Sequence, residues 1–308
     1  MKNKSWLRWL ILAMLLVVIL VGGWWFWADY QKRMTFRPEG QIAYECWPDG
    51  ASRICVINAD GTAYRQITFN GTVYQPAWSP DGSRLLYVSQ PSLNAADSVF
   101  VMSADGTGIK QLTDRQCASE SPSWSPKSEE IAFVKYDDNK ICKGVAGIYL
   151  MHSDGSNQRR LTDRGEQPMW SPDGSKIAYI YENNVYLLNL DDLLSTKAST
   201  TFSHSPTWSP DGKQIAFVCS LDDALGICVV NSDGTGRRVI LHDASRRLRK
   251  GLSWSPDGEY IAYSTTNPLC ILCNITGLIW ITKADGSYQK QLTSSGVISK
   301  FPAWRPTK

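Results

Sequence analysis

Trp78-Ser79-Pro80-Asp81-Gly82 is the stretch on which the reading of this chain turns, because it recurs. Full copies stand at Trp170 to Gly174, Trp208 to Gly212 and Trp254 to Gly258. Degenerate copies read Trp124-Ser125-Pro126-Lys127-Ser128 and Trp304-Arg305-Pro306. The tryptophans are spaced 46, 46, 38, 46 and 50 residues apart. Ser-Pro-Asp-Gly suits a type I turn, with proline second and glycine fourth. After each turn comes an apolar run, such as Leu85-Leu86-Tyr87 or Ile177-Ala178-Tyr179, and then a second, such as Val99-Phe100-Val101. Asp-Gly follows at Asp105-Gly106, Asp154-Gly155, Asp233-Gly234 and Asp285-Gly286, where a tight hairpin with positive φ is expected. A short run such as Gln111-Leu112-Thr113 ends the unit. Four β-runs in about 45 residues are the signature of a propeller blade.

The last unit stops at Lys308 after one strand. Its other three strands are found at the opposite end, in Gln41-Ile42-Ala43-Tyr44, Ile54-Cys55-Val56 and Gln66-Ile67-Thr68, with Asp60-Gly61 between the last two. The expected fold is therefore all-β: a six-bladed propeller over residues 39–308, closed by both chain ends in one blade. Closure hides a sheet edge that would otherwise be exposed.

Ahead of it, residues 9–27 carry no charge and end in Trp24, Trp25, Phe26 and Trp27. Nineteen helical residues span about 28 Å, close to the hydrocarbon thickness of a bilayer. A single uncleaved transmembrane signal-anchor is expected there, between a basic tail (1–8) and a stalk (28–38), with a cleaved signal peptide as the rival reading. Lys2, Lys4 and Arg8 flank one side and Lys32, Arg33 and Arg37 the other, so charge barely sets the orientation. Formal net charge is +3, from 32 basic and 29 acidic residues. Without the three basic residues of the tail the balance is even, which argues against nucleic acid as a partner.

The repeats resemble the Asp-Gly-rich propeller repeats of the TolB family, found also in tricorn-type and prolyl-oligopeptidase-type propellers. The resemblance covers residues 39–308 and implies the fold. The TolB amino-terminal domain has no counterpart here, and a membrane span stands in its place. The resemblance brings no peptidase activity with it.

Eight cysteines remain. Cys46 and Cys55 flank a hairpin, and Cys219 and Cys228 do so in another blade at the same separation of nine. Both pairs could bridge. Cys117 and Cys142 lie in loops of one neighbourhood, and Cys270 and Cys273 form a lone Cys-x-x-Cys. An even set that pairs without remainder implies an oxidising compartment, periplasmic or extracellular. Buried thiols, half a zinc site or a redox motif are the alternatives for these cysteines. Asn70-Gly71-Thr72 and Asn274-Ile275-Thr276 are glycosylation sequons.

A motif present in every blade is structural, so function is sought where the blades differ. Two residues before each Pro-x-Trp the side chain varies: Tyr74, Glu120, Glu166, His204, Lys250 and Lys300, with Leu252 replacing proline in the fifth copy. These six are expected to ring one mouth of the axial tunnel as a binding site, against a reading as solvated loop positions. Arg246, Arg247 and Arg249 form a basic loop able to hold an anionic partner. The stalk is expected to attach on the face of the Ser-Pro turns, which leaves the variable, cysteine-bearing face pointing away from the membrane. No hydrolase, zincin or phosphate-loop motif occurs, and no cofactor or metal is expected. The expected function is a membrane-anchored, extracytoplasmic, non-catalytic scaffold that binds a protein partner. The alternatives are a receptor for a small ligand or glycan in the tunnel, and a hydrolase-type enzyme built on acidic tunnel residues.

Overall fold

The computed structural model describes Met14 and residues 38–48, 50–90, 95–136, 142, 144, 146–245, 248–266, 277–294 and 298–307. The chain divides into two units, Met1–Pro38 and Glu39–Lys308. Among the described residues no helix is long and apolar enough to cross a membrane. The expected span 9–27 lies outside the described residues, apart from Met14.

The described residues of the second unit form 24 strands in six four-stranded antiparallel sheets. We number the blades by their inner strands: Thr72–Trp78, Ser119–Trp124, Glu166–Trp170, Ser203–Trp208, Leu248–Trp254 and Ser299–Trp304. Each inner strand ends on the repeat tryptophan. In blades 1 to 5 the strands follow chain order outward. In blade 6 Ser299–Trp304 pairs with Gln41–Cys46, which pairs with Arg53–Asn58 and then Arg65–Gln66. Ile42 lies opposite Trp304 and Ala43 opposite Ala303. The two chain ends thus share one sheet, as the sequence requires. Arg305 adds a latch: its backbone N–H donates to Gln41 O at 2.7 Å, and its Nε donates to Gly82 O of blade 1 at 2.9 Å.

The second strand of each blade is buried along nearly its whole length, its alternating side chains facing a neighbouring blade on either side. The repeat tryptophans sit at these seams. Trp78 packs with Ile54 and Val56 of blade 6, and Trp124 with Leu86 and Val99 of blade 1. Trp208 packs with Val185 and Leu187 of blade 3. Trp124 Nε1 donates to Ala77 O, Trp208 Nε1 to Met169 O and Trp304 Nε1 to Glu39 O, at 2.9–3.2 Å. The aspartates of the motif hold their own turns. Asp81 Oδ1 accepts from Ser79 Oγ at 2.6 Å and from Ser83 N at 3.1 Å, and Asp173 and Asp211 repeat the pattern. Those hydrogen bonds hold all three carboxyls below the usual range.

The Asp-Gly hairpins are tight turns with a positive-φ glycine, as expected. Gly61 N donates to Asn58 O and Asn58 N to Thr62 O, a type I turn closed by a left-handed glycine. The third residue of the turn therefore keeps ordinary φ, and only the glycine is left-handed.

Three disulfides join Cys46–Cys55, Cys117–Cys142 and Cys219–Cys228, with Cα separations of 5.5–5.8 Å. Cys270 and Cys273 lie outside the described residues, as does the sequon at Asn274.

Candidate functional site

Every inner strand carries a β-bulge at the same place. In blade 1 Tyr74 lies opposite Val88 and Ala77 opposite Leu86, so one extra residue is inserted. The residue just before the proline, or before Leu252, takes positive φ: Gln75 (51°), Ser121 (53°), Gln167 (54°), Ser205 (56°), Gly251 (107°) and Phe301 (50°). A bulge re-aims the side chains on either side of it. Here it produces two adjacent layers around the axis. One layer is the bulge residues. The other is the six variable residues Tyr74, Glu120, Glu166, His204, Lys250 and Lys300, all of which lie in inner strands rather than in loops.

The bulge layer is tied together from blade to blade. Ser121 N donates to Gln75 Oε1 at 2.7 Å, Ser205 N to Gln167 Oε1 at 2.6 Å and Gly251 N to Ser205 Oγ at 2.9 Å. Gln75 Nε2 donates to Glu120 Oε2 at 3.4 Å, linking the two layers.

The variable layer is electrically divided. Blades 1 to 3 supply Tyr74, Glu120 and Glu166 with Asp97 and Tyr136 beside them, while Glu45 stands on blade 6 opposite Lys300. Blades 4 to 6 supply His204, Arg249, Lys250 and Lys300. Burial, then the neighbouring Asp97 carboxylate, pushes the Glu120 carboxyl up to about 7. Lys250 pulls the same group back down, although it stands on the opposite blade. That coupling places both side chains toward one axis. Burial also raises the hydroxyls of Tyr74 and Tyr136, with Glu120 the next cause in each. Glu45 is raised by burial, opposed by Trp47, Lys300 and Ser52. Burial, then Lys250 and Arg249, pushes the His204 imidazole down to about 4. Asp97 Oδ1 is buried with no hydrogen-bond partner among the described residues.

These shifts oppose one another in stability. Glu120 holds its proton more tightly folded than unfolded. Its contribution is full below pH 4.5 and is lost as pH rises through about 7. His204 does the reverse, contributing above pH 6.5 and losing that as pH falls through about 4. Glu120→Gln should leave the histidine slope exposed, so its melting temperature should rise with pH between 4.5 and 6.5 more steeply than wild type. His204→Asn should show the opposite slope. Thermal unfolding scans across that window check this, and superimposable profiles for all three proteins would contradict it.

Beyond the bulges toward the Ser-Pro turns the axis opens into a cavity of about 560 Å³, lined by the inner-strand prolines, the repeat tryptophans, Met169 and Phe301. Of the six variable residues, Lys250 lines it. The repeat tryptophans thus line this cavity as well as packing at the seams, which their spacing does not reveal. The disulfides frame the charged mouth. Cys46 lies opposite Ser299, next to Lys300. Cys219 lies opposite Ser203, next to His204. Cys117 lies three residues before Glu120.

The basic loop expected from the sequence needs correction. Arg249 and Lys250 belong to the inner strand Leu248–Trp254, because the strand begins earlier than its tryptophan motif suggests. Arg246 and Arg247 lie outside the described residues. The bulge residues were missed, because among them only Gly251 carries a sequence mark of positive φ. Among the described residues no group of three or more His, Cys, Asp or Glu side chains is placed to hold a metal ion.

Comparison with known proteins agrees with this geometry. The crystal structure of TolB from Acinetobacter baumannii superposes with a TM-score of 0.74 at 20% identity, over 87% of this chain and 67% of that one. An oligogalacturonate lyase from Vibrio parahaemolyticus superposes at 0.56 with 12% identity, over 83% and 75%. At such identities the likeness is one of fold. A TolB homolog of Chlorobium luteolum is 27% identical over 169 residues, 50% of this chain and 35% of that protein. An uncharacterized peptidase, YuxL, of Bacillus subtilis is 30% identical over 118 residues, 36% of this chain and 17% of that protein. This chain therefore spans well under half of the curated relatives it matches. The model of the TolB beta propeller domain matches residues 34–244, more than half of the chain, and the chain belongs to that family.

Proposed function

We propose that this chain is an extracytoplasmic scaffold, tethered by residues 9–27, that binds a protein partner at the charged mouth of its propeller. One observation carries the reading: the repeat brings its variable side chains toward one axis, the Glu120 and Glu166 carboxyls from blades 2 and 3 and the Lys250 and Lys300 amines from blades 5 and 6. Complementary charge of this kind steers and orients a protein partner. The three disulfides support an oxidising compartment. Two of them staple the second and third strands beside the inner strands of Lys300 and His204, and the third starts three residues before Glu120, which stiffens the surroundings of the mouth.

A second reading, a receptor for a small ligand or glycan, is favoured by the tryptophan-lined cavity, since aromatic faces suit sugar rings and apolar ligands.

The test is capture by the full chain in detergent, its own membrane fraction as the source, with bound molecules identified by mass spectrometry. A protein partner should be retained, and its recovery should fall about tenfold in Glu166→Lys with Lys300→Glu. Undiminished recovery would overturn the mouth as the site. Recovery of a bound saccharide in place of a protein would favour the second reading.

A further inference from the structure

Five blades carry an Asp-Gly hairpin between their third and outer strands, and the glycine sits at φ 77–91°. At Gly106, Gly155 and Gly286 it presses on the preceding blade, while Gly61 and Gly234 leave room for ordinary contact, and four of these five seams add a cation. A Cβ on Gly106 would lie 2.7 Å from Ile67 O, and one on Gly155 2.8 Å from Leu112 O, so neither position accepts a side chain. A cation on the preceding blade's outer strand then donates to the hairpin backbone. Arg65 reaches Ala104 O at 3.3 Å, Lys110 reaches Asp154 O at 2.9 Å, Arg238 reaches Ala284 O at 3.4 Å and Lys290 reaches Asp60 O at 2.7 Å. All four hold one register position, opposite Val56, Val101, Val229 and Ile281.

Arg159, opposite Leu150, holds that position on blade 2. Its seam is with blade 3, whose hairpin reads Asn189-Leu190-Asp191-Asp192-Leu193-Leu194. Asp192 stands where the other blades have glycine, and a Cβ cannot make the close approach. The turn shifts along the chain instead. Asp192 Oδ1 accepts from Leu194 N at 2.9 Å, and Leu193 becomes the left-handed residue at φ 58°. Arg159 instead pairs within its own blade, with Glu130 at 2.6 Å, and its side chain stays 46% exposed. A groove of about 800 Å³ remains between blades 2 and 3. Leu150, Leu161, Leu190 and Trp170 line it. Leu193, also lining it, is 56% exposed. Trp170 Nε1 is buried with no partner among the described residues.

We propose that this groove docks a tight turn of a partner protein, one that lays an apolar side chain on the leucine floor and offers Arg159 a carboxylate or backbone carbonyl. The chemistry is read from the four seams in which the same cation is already met by such a turn. An exposed pair such as Arg159–Glu130 is worth at most about 1 kcal/mol, so an incoming acceptor displaces it readily. The site lies at the seam between blades 2 and 3 and shares Pro126, Trp170 and Pro172 with the lining of the axial cavity, but none of the six variable residues.

A disulfide-cyclised peptide copying Met102–Lys110, the hairpin of blade 1, is the probe. Titrated calorimetrically into the full chain, it should bind saturably. Arg159→Ala should weaken it about tenfold or more, the loss of a hydrogen bond to a charged group. Asp192→Gly with Leu193→Thr restores the chain's own turn, closes the seam and should abolish binding. Leu193→Asp, which leaves the backbone of the turn in place, should weaken it without closing the seam. Circular dichroism verifies that each variant folds, and Arg238→Ala, already engaged at its own seam, should bind as wild type does. No saturable binding, or full binding by the Asp192→Gly/Leu193→Thr variant, would overturn the proposal. Self-association of the wild type that this variant abolishes would put a second copy of the chain in the groove and equally overturn it.

Discussion

Reduced with dithiothreitol, the propeller should lose roughly 15–30 °C of melting temperature. The three bridges close sequence separations of 9, 25 and 9 residues. Loop-closure entropy assigns each about 2.5–3.5 kcal/mol, on the order of 8–9 kcal/mol together. Domains of this kind are stable by roughly 5–15 kcal/mol, so the reduced chain should be only marginally folded. The effect should also be uneven. Cys46–Cys55 and Cys219–Cys228 staple second and third strands beside Lys300 and His204, so reduction should loosen the charged mouth before the Ser-Pro turns at the other end. Scanning calorimetry with and without reductant measures the total, and the Cys46→Ser/Cys55→Ser variant should show about a third of it. A shift of only a few degrees on full reduction would show that the bridges are ornaments on a self-sufficient core.

What could be read from the sequence follows a physical division. Trp78-Ser79-Pro80-Asp81-Gly82 and its copies were legible because their tasks are local: the aspartate closes its own turn, and the tryptophan fills its own seam. Ring closure was legible because strands missing after Lys308 are supplied by Gln41–Cys46 and its neighbours. The variable positions Tyr74 to Lys300 were legible through register, since each stands a fixed distance from a tryptophan. What those residues do to one another was not. The coupling of Glu120 to Lys250 depends on two blades facing across an axis. The bulges were hidden because Gln75, Gln167 and Phe301 are not residues that announce a left-handed backbone. The open seam was hidden for a different reason. Asp192 reads as a lost motif, and its consequence appears only when Gly106 and Gly155 are seen pressing on the blade before them. Arg249 was misplaced because strand ends are set by ladder pairing, here as far back as Leu248 opposite Thr265.

Everything assigned to the axis depends on the chain ends meeting in blade 6. Trp304 is the residue through which this can be measured. It is 5% exposed, stacks on Tyr260 at a ring separation of 6.3 Å and donates to Glu39 O. Trp124 is its counterpart inside the chain, 6% exposed and donating to Ala77 O. In a closed ring both are buried and hydrogen-bonded, Trp124 to the blade before it and Trp304 to the amino-terminal segment of its own blade. Urea unfolding of Trp304→Ala and Trp124→Ala should therefore give the same loss of stability, about 3–5 kcal/mol each. A loss at Trp304 near zero beside a full loss at Trp124 would mean that the last strand is a frayed end, that the ring is open, and that the six variable side chains do not share a mouth.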